Sequence, residues 1–342
     1  MLLKAKTYDK LNMLGKLTPG KIANSIKITG SYYYSKWFNK NTHWGLPVSM
    51  SFEPTTSCNL RCPECPSGLR QFSRPTGMAD LNFYKSFIDG SKNHLWYLTL
   101  YFQGEPFLNP HFLEMVSYAN QNKIYTATST NAHYINDEKA KEIIDSGLDR
   151  LIISIDGTTQ DTYQSYRVGG KLQKVIDGTK KVVAWKKKLK SSTPHIIYQF
   201  LVVKPNEHQI SDVYALANEL GVDEVKLKTA QVYDYKNGNE LIPENEKYSR
   251  YKKEKDGTYL YKNKMSNQCW RMWQGSVVTF DGKLVPCCFD KDAENQLGDL
   301  QTDNLEQVWN SEEYKNFRTK LLDSRDNIEI CKNCSEGTKV WA

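Results

Sequence analysis

The stretch SCNLRCPECPSG (57–68) gathers three of the chain's eight cysteines into one short segment. They are Cys58, Cys62 and Cys65, and the next cysteine is Cys269. Thiolates bind soft metals and iron–sulfur clusters. Three cysteines leave one iron of a four-iron cluster without a protein ligand, and an open coordination position is typical of catalytic metal sites. The spacing therefore predicts a catalytic iron–sulfur site, with zinc as the alternative interpretation.

The composition is that of an ordinary globular protein. Of 342 residues, 39% are hydrophobic and 25% are charged, and the net charge is +7. The sequence has no apolar run of about 18 residues and no signal-peptide pattern at its N-terminus. We therefore predict a cytoplasmic protein, in which reduced cysteines indicate metal binding or catalysis rather than disulfides. Basic residues and aromatics do not interleave in a nucleic-acid-binding motif, so no nucleic-acid partner is expected.

Strand-like and helix-like segments alternate from residue 48 onward. Apolar, β-branched and aromatic runs predict six strands, at 48–52, 95–102, 123–130, 150–156, 195–203 and 223–229. Helices are predicted between them, at 81–92, 110–121, 136–147, 172–189 and 211–221. The nearly continuous apolar strands indicate a parallel sheet buried on both faces. This pattern predicts an α/β domain, either an open sheet or an incomplete barrel.

A second group of cysteines follows a change in composition near residue 230, after which the sequence is polar, Tyr-rich and turn-rich. We predict a small, core-poor second domain there, with a hairpin that turns at Asp281-Gly282 and a helix at 311–322. Its cysteines fall into four candidate ligands and one spare thiol, Cys288; the four are Cys269, Cys287, Cys331 and Cys334. Four thiolates would fill the coordination of a cluster, and a zinc knuckle is the alternative.

The cysteine loop after the first strand resembles that of the radical S-adenosylmethionine (SAM) superfamily. The resemblance implies a partial (β/α)6 TIM-like barrel, a 4Fe–4S cluster and SAM as cofactors. It further implies that reductive cleavage of SAM gives a 5′-deoxyadenosyl radical that abstracts a hydrogen atom. Many members carry an aromatic residue before the third cysteine, where this chain has Glu64.

Further motifs of that superfamily follow in order at the ends of predicted strands. FQGEP (102–106) resembles the GGEP turn that holds the SAM amino group, with Gln103 in place of the first glycine. STN (129–131), SIDG (154–157) and SYRVGG (165–170) resemble segments that contact SAM, the last through an arginine on its carboxylate. The resemblance implies eight SAM-binding residues: Gly104, Glu105, Pro106, Ser129, Asn131, Ser154, Asp156 and Arg167.

The C-terminal cysteines resemble the SPASM/Twitch extension of the same superfamily. The spacing from Gly282 to Cys287 and the segment GDLQTDNLEQVWNSEEY match it, but the cysteines are too few for two auxiliary clusters. The chain looks like the shortened, single-cluster form of an aminoglycoside-pathway inosamine dehydrogenase. We therefore expect three parts: an N-terminal basic and aromatic helical segment (1–47), a radical SAM core (48–232) and an auxiliary iron–sulfur domain (233–342).

A fully ligated second cluster has no position for substrate, so we expect it to accept an electron. This favours an oxidoreductase, acting on a carbohydrate-like alcohol or equally on a peptide that it modifies or cross-links, with a donor such as flavodoxin or ferredoxin. The alternatives are a non-catalytic iron–sulfur or zinc protein, and a methyl or sulfur transferase. No general base is assigned; Tyr101, Gln103 and Arg271 only neighbour the predicted site.

The N-terminal segment lies outside the resemblance. Its aromatic residues are mixed with lysines, which predicts a helical collar packed on the barrel. The alternative is an amphipathic segment that contacts a membrane surface peripherally.

Overall fold

The computed structural model describes residues 2–262, 266–337 and 340. Eleven strands lie in these residues: Ser49–Phe52 (β1), Tyr97–Thr99 (β2), Tyr125–Thr130 (β3), Arg150–Ser154 (β4), His195–Val202 (β5), Glu224–Thr229 (β6), Tyr251–Lys253 (β7), Tyr259–Tyr261 (β8), Val277–Val278 (β9), Lys283–Val285 (β10) and Gly298–Asp299 (β11). The six strands predicted from the sequence are β1 to β6.

Thirteen α-helices lie in the same residues. They are Leu2–Gly15 (α1), Pro19–Phe38 (α2), Pro66–Leu69 (α3), Leu81–Ser91 (α4), Phe112–Gln121 (α5), Asp137–Asp145 (α6), Gln160–Tyr166 (α7), Leu172–Lys188 (α8), Ile210–Leu220 (α9), Arg271–Gln274 (α10), Leu305–Trp309 (α11), Glu312–Asp323 (α12) and Glu329–Lys332 (α13). No helix among the described residues is long and apolar enough to cross a bilayer.

The strands β1 to β6 pair in sequence order and run parallel. Helices connect them as predicted, and the helix starts follow local capping chemistry. Asp80 caps α4 and Asn136 caps α6, each through a side-chain oxygen that accepts backbone N–H groups. The predicted α/β fold is confirmed.

The faces of β1 and β2 differ, in contrast to the expected burial on both sides. Met50, Phe52 and Leu98 face the helices and are fully or almost fully buried. Ser49, Ser51, Tyr97 and Thr99 alternate with them and line an inner cavity. Side chains on a strand point alternately to opposite faces, so β1 and β2 present one apolar and one polar side. The polar side forms the wall of the barrel lumen.

The sheet continues from the barrel into the C-terminal region. Strand β9 pairs in parallel with β1, on the side opposite β2, and β10 and β11 extend the sheet further. The hairpin turns at Asp281 and Gly282, as predicted, with Gly282 at a φ of +90°. The domain boundary near residue 232 stays a prediction, because one sheet spans both predicted parts.

The C-terminal region is richer in core residues than expected from its sequence. Trp270, Trp273 and Trp309 are fully or almost fully buried, and they belong to the same hydrophobic core as the barrel helices. The core was not predicted, because Trp309 lies far along the turn-rich sequence from Trp270 and Trp273.

The N-terminal segment forms two helices that pack on the rest of the chain. Helix α1 lies across the N-terminal ends of the barrel strands: Asp9 accepts hydrogen bonds from Tyr125 and Arg150, and Asn12 donates to Asp149 at 2.7 Å. Helix α2 packs through Tyr32, whose ring centroid lies 5.2 Å from that of Trp270. Helix α1 therefore forms the floor of the lumen, as its lining side chains Lys6 and Met13 also show.

A buried ion pair joins three segments beside the cysteine loop. Glu53 is fully buried and accepts two hydrogen bonds from Arg74, at 2.6 and 2.8 Å, and one from the Phe280 N–H at 3.2 Å. The three residues belong to the end of β1, the loop after α3 and the β9–β10 hairpin. The pair therefore holds the hairpin against the strand that leads into the cysteine loop.

We expect Arg74→Ala to destabilise the protein by about 3–5 kcal/mol, because it leaves the Glu53 carboxylate buried and unpaired. Lys85→Ala is the matched control, since its ion pair with Glu114 is exposed and contributes about 0–1 kcal/mol. Denaturant unfolding of the cluster-loaded proteins measures both changes. Equal losses for the two variants would contradict the role given to the buried pair.

Candidate functional site

The first three cysteines lie on the loop between β1 and α3, at the carboxyl edge of the sheet. Cys62 is buried, and Cys58 and Cys65 are half-buried. Burial, with smaller contributions from the neighbouring Glu105, Cys62 and Cys65, raises the pKa of Cys58 to about 11. Three thiolates so placed require a strongly cationic partner.

This loop fits an iron–sulfur cluster by its donor chemistry. Its donors are thiols alone, the soft ligands that iron–sulfur clusters take. Close packing shapes the loop: a Cβ at Gly68 would lie 2.6 Å from the Cys62 nitrogen. The described residues contain no group of three His, Cys, Asp or Glu side chains around a single ion position, so the fit rests on the donor set.

The turn after β2 is bonded directly to the cysteine loop. The Glu105 N–H donates to the Ser57 carbonyl at 2.7 Å, and the Gly104 N–H donates to the Ser67 hydroxyl at 2.9 Å. Gly104 has a φ of +75°, and a Cβ there would lie 2.3 Å from the Thr55 carbonyl oxygen. Only glycine permits this close approach of the two segments.

The carboxylate of Glu105 connects this turn to the end of β3. It accepts a hydrogen bond from the Thr130 hydroxyl at 2.7 Å and one from the Asn131 N–H at 2.8 Å. Burial raises the pKa of Glu105 to about 7. The Asn131 side chain in turn donates to Asn59 on the cysteine loop at 2.8 Å. Glu105 and Asn131 therefore lie at one site, and Pro106 begins the short helical turn that follows.

Asp156 and Arg167 form a second connection to the cysteine loop. Asp156 is fully buried and accepts hydrogen bonds from the Arg167 Nε and from the Leu201 N–H at 2.7 Å. The Arg167 Nη1 lies 3.8 Å from the Cys62 sulfur. Asp156 thus orients Arg167 toward the cysteine loop, and the contact of Asp156 with SAM stays a prediction.

Ser129 and Ser154 complete the predicted set. Their hydroxyl oxygens lie 3.4 Å apart on the neighbouring strands β3 and β4. The fold therefore brings the candidate SAM residues to the carboxyl edge of β2, β3 and β4, around the cysteine loop. Their assignment to SAM stays a prediction. Gln103, at the position where the family has glycine, has its side-chain oxygen 3.9 Å from the Cys65 sulfur.

The later cysteines also lie together. Burial raises the pKa of Cys287, and the charges of Cys288, Cys269 and Cys334 raise it further. Burial raises the pKa of Cys334 to about 12 as well, with smaller contributions from Cys269 and Cys331. Gly337 packs against this group, since a Cβ there would lie 2.3 Å from the Cys269 sulfur. Three buried thiols and the half-buried Cys287, from three segments, fit a fully ligated cluster.

Arg325, which no sequence motif indicated, lies at the second cysteine group. Arg325 is almost fully buried, and its Nη2 donates to the Cys334 sulfur at 3.3 Å and to the Glu336 carbonyl at 2.9 Å. Its Nη1 donates to the Gln268 carbonyl, next to Cys269, at 2.9 Å. A guanidinium in this position compensates negative charge on thiolates.

A cavity of about 750 Å³ occupies the barrel lumen. Its floor is helix α1, and its walls include Thr99, Tyr101 and Lys226. Toward the second cysteine group it is lined by Arg271, Cys287 and Cys288. Cys288, the spare thiol, therefore lies on the cavity wall.

Lys226 is the half-buried cation of this wall that has no hydrogen-bond or ion-pair partner among the described residues. Of the other cations in the lining, Arg150 pairs with Asp9, Arg271 with Glu336 and Lys6 with Glu224, whereas Lys10 is exposed to solvent. Burial lowers the pKa of Lys226.

Comparison with known proteins identifies two families along the chain. Residues 52–217 match the Radical SAM superfamily, and residues 269–335 match SPASM, an iron–sulfur cluster-binding domain. Both matches fall on the predicted regions and include all seven candidate cluster cysteines.

Relatives and a solved structure support the same assignment. The chain is 26% identical over 316 residues to a tungsten-containing aldehyde ferredoxin oxidoreductase cofactor-modifying protein of Pyrococcus furiosus, covering 83% of this chain and 86% of that one. It is 25% identical over 316 residues to a PqqA peptide cyclase of Gluconobacter oxydans, covering 86% and 84%. The crystal structure of BtrN in complex with AdoMet and 2-DOIA shares the fold, with a TM-score of 0.54, 18% identity and coverage of 85% and 94%.

The predicted SAM and iron–sulfur cofactors are thereby confirmed. Five cysteines lie outside the first motif, which leaves ligands for a single auxiliary cluster. The chain is a radical SAM protein with a C-terminal SPASM domain.

Proposed function

We propose that this protein oxidises a substrate bound in the barrel lumen by two electrons. The observation that carries the proposal is the position of the cavity. It extends from Phe102, beside the turn that holds the first cysteine loop, to Cys287 in the second cysteine group. A substrate in the lumen would therefore contact the second cysteine group and approach the turn that is bonded to the first cysteine loop.

When bound, SAM and the first cluster supply a 5′-deoxyadenosyl radical, which takes one hydrogen atom from a substrate carbon. For an alcohol, the hydroxyl proton would leave to solvent in the cavity, and the auxiliary cluster would supply the acceptor for the remaining electron. Cys58, Cys62 and Cys65 would hold the first cluster, and Cys269, Cys287, Cys331 and Cys334 the second. We propose that Glu105, Asn131 and Arg167 position SAM, and that flavodoxin or ferredoxin supplies the initiating electron in the cytoplasm.

A small polar alcohol fits the lumen best. A volume of about 750 Å³ lies within the range of small-molecule sites, and Ser49, Thr99 and Tyr101 provide hydroxyl partners. We propose that Lys226 binds an anionic or strongly polar group of this substrate. A peptide is the second candidate, supported by the similarity to the PqqA peptide cyclase over most of both chains. In that case one side chain would enter the lumen.

Replacing Cys58, Cys62 or Cys65 by Ala should abolish formation of 5′-deoxyadenosine, because the first cluster loses a ligand. Iron should fall from about eight to about four atoms per chain. Anaerobic reconstitution, iron analysis and nucleoside assay with reductant and SAM test this. Cys288→Ala is the control and should keep the iron content of the wild type. Undiminished nucleoside formation by the Cys62 variant would refute the proposed site.

Replacing Cys331 or Cys334 by Ala should separate the two steps. SAM cleavage should continue, because the first cluster is intact, whereas substrate oxidation should stop for lack of an electron acceptor. Circular dichroism identifies a variant in which the C-terminal region has instead unfolded. Substrate turnover at the wild-type rate in a folded variant without auxiliary iron would rule out the proposed electron path.

Lys226→Met should lower kcat/KM for the substrate about ten- to hundredfold, the usual effect of losing a hydrogen bond to a charged group. Cleavage of SAM without substrate should be unchanged. Deuterium transfer from candidate sugars and peptides into 5′-deoxyadenosine measures turnover. Lys228→Met, two residues along the same strand face but exposed, is the control. If both variants behave alike, Lys226 has no specific role in substrate binding.

A further inference from the structure

The outer surface of helix α2 is apolar and aromatic and exposes large hydrophobic side chains to solvent. Trp37 is 73% exposed and Ile26 68%, among the highest values for large hydrophobic side chains. We call the exposed cluster on this surface the aromatic face; it consists of Ile22, Ile26, Tyr34, Trp37, Phe38 and Trp44.

The aromatic face is one continuous surface. Ile22, Ile26 and Trp37 recur at helical spacing and so lie on one side of α2. The ring of Tyr34 contacts those of Phe38 and Trp44, with centroids 4.7 and 5.6 Å away. Trp44 lies over Gly30, where a Cβ would be 3.4 Å from the indole. The opposite side of α2 carries Tyr32 and packs on the tryptophans of the C-terminal region.

The charge of the whole protein is concentrated in the same segment. Residues 1–47 contain eight lysines and one acidic residue, Asp9, which gives +7, the net charge of the full chain. The other 295 residues therefore sum to a formal charge of zero. Lys27, Lys36 and Lys40 are exposed beside the aromatic face and have no ion-pair partner among the described residues.

We infer that the aromatic face binds the surface of a bilayer that contains anionic lipids. Exposed tryptophan, phenylalanine and isoleucine bordered by lysines match the requirements of an interfacial helix, whose apolar side enters the headgroup boundary while its cations attract anionic lipid. Two copies of this chain would not pair through the face, because the unpaired Lys27, Lys36 and Lys40 that border it on each copy would repel one another. An acidic electron-carrier protein would form ion pairs with the lysines, but it would leave the exposed apolar side chains without a binding partner.

Neutralising the border lysines should weaken vesicle binding by about fivefold for each lysine, or roughly a hundredfold for Lys27→Gln, Lys36→Gln and Lys40→Gln together. The matched control changes three exposed lysines outside the segment, Lys180→Gln, Lys187→Gln and Lys190→Gln. The probe is co-sedimentation of the cluster-loaded full chain with phosphatidylcholine vesicles, with and without phosphatidylglycerol.

Removing apolar side chains tests the other component of binding. Ile26→Ser, Trp37→Ser and Phe38→Ser should each weaken binding to the anionic vesicles about tenfold, because each loses an apolar group from the interface. Tyr233→Ser and Leu260→Ser, equally exposed elsewhere, are the controls and should bind like the wild type. Iron content and 5′-deoxyadenosine formation without vesicles verify that every variant is folded.

The proposal is supported if the wild type binds anionic vesicles and both variant sets lose binding while both controls keep it. It is overturned if the wild type does not bind, or if the variants bind like the wild type. If the wild type does not bind vesicles and the variants instead lose dimer formation or flavodoxin binding, the face belongs to that protein partner. These results do not depend on the substrate or on the reaction proposed for the lumen.

Discussion

The pairing of β1 with both β2 and β9 fixes the two cysteine groups relative to each other. Strand β1 leads into the first cysteine loop, and the hairpin that begins with β9 leads to Cys287. Parallel backbone hydrogen bonds thus connect the two groups through one short strand. The buried pair of Glu53 and Arg74 adds a contact to the hairpin at the same place. The sheet therefore holds the two cysteine groups at a fixed separation.

The catalytic edge was predictable because its chemistry is local in sequence. Cysteine spacing, the turn at Gly104 and the ends of β3 and β4 each lie within a few residues, and parallel strands bring such ends together. The chain order of the motifs therefore sufficed to place Glu105 beside Asn131. The role of Asp156 was harder to foresee, because its partner Arg167 lies after an intervening helix.

Features that depend on contacts between residues far apart in the chain could not be predicted from the sequence. The continuous sheet arises because β1 pairs with β9, although the two strands lie more than 200 residues apart. The sequence of neither strand predicts this pairing. Arg325 belongs to no sequence motif, and only the folded structure shows that it contacts Cys334. The aromatic residues of the C-terminal region join a core that includes Tyr32 of α2. These are contacts of tertiary structure, for which local propensity carries no information.

The two edges of the sheet bear on how the protein behaves when it is partly unfolded. Strand β11, at one edge, has only two residues, and β6, at the other, carries Glu224, Lys226 and Lys228 on one face. Short strands and edge charges hinder the addition of a strand from another molecule. A chain that has lost its iron therefore exposes poor templates for edge-to-edge aggregation, which favours recovery of the folded state during cluster assembly.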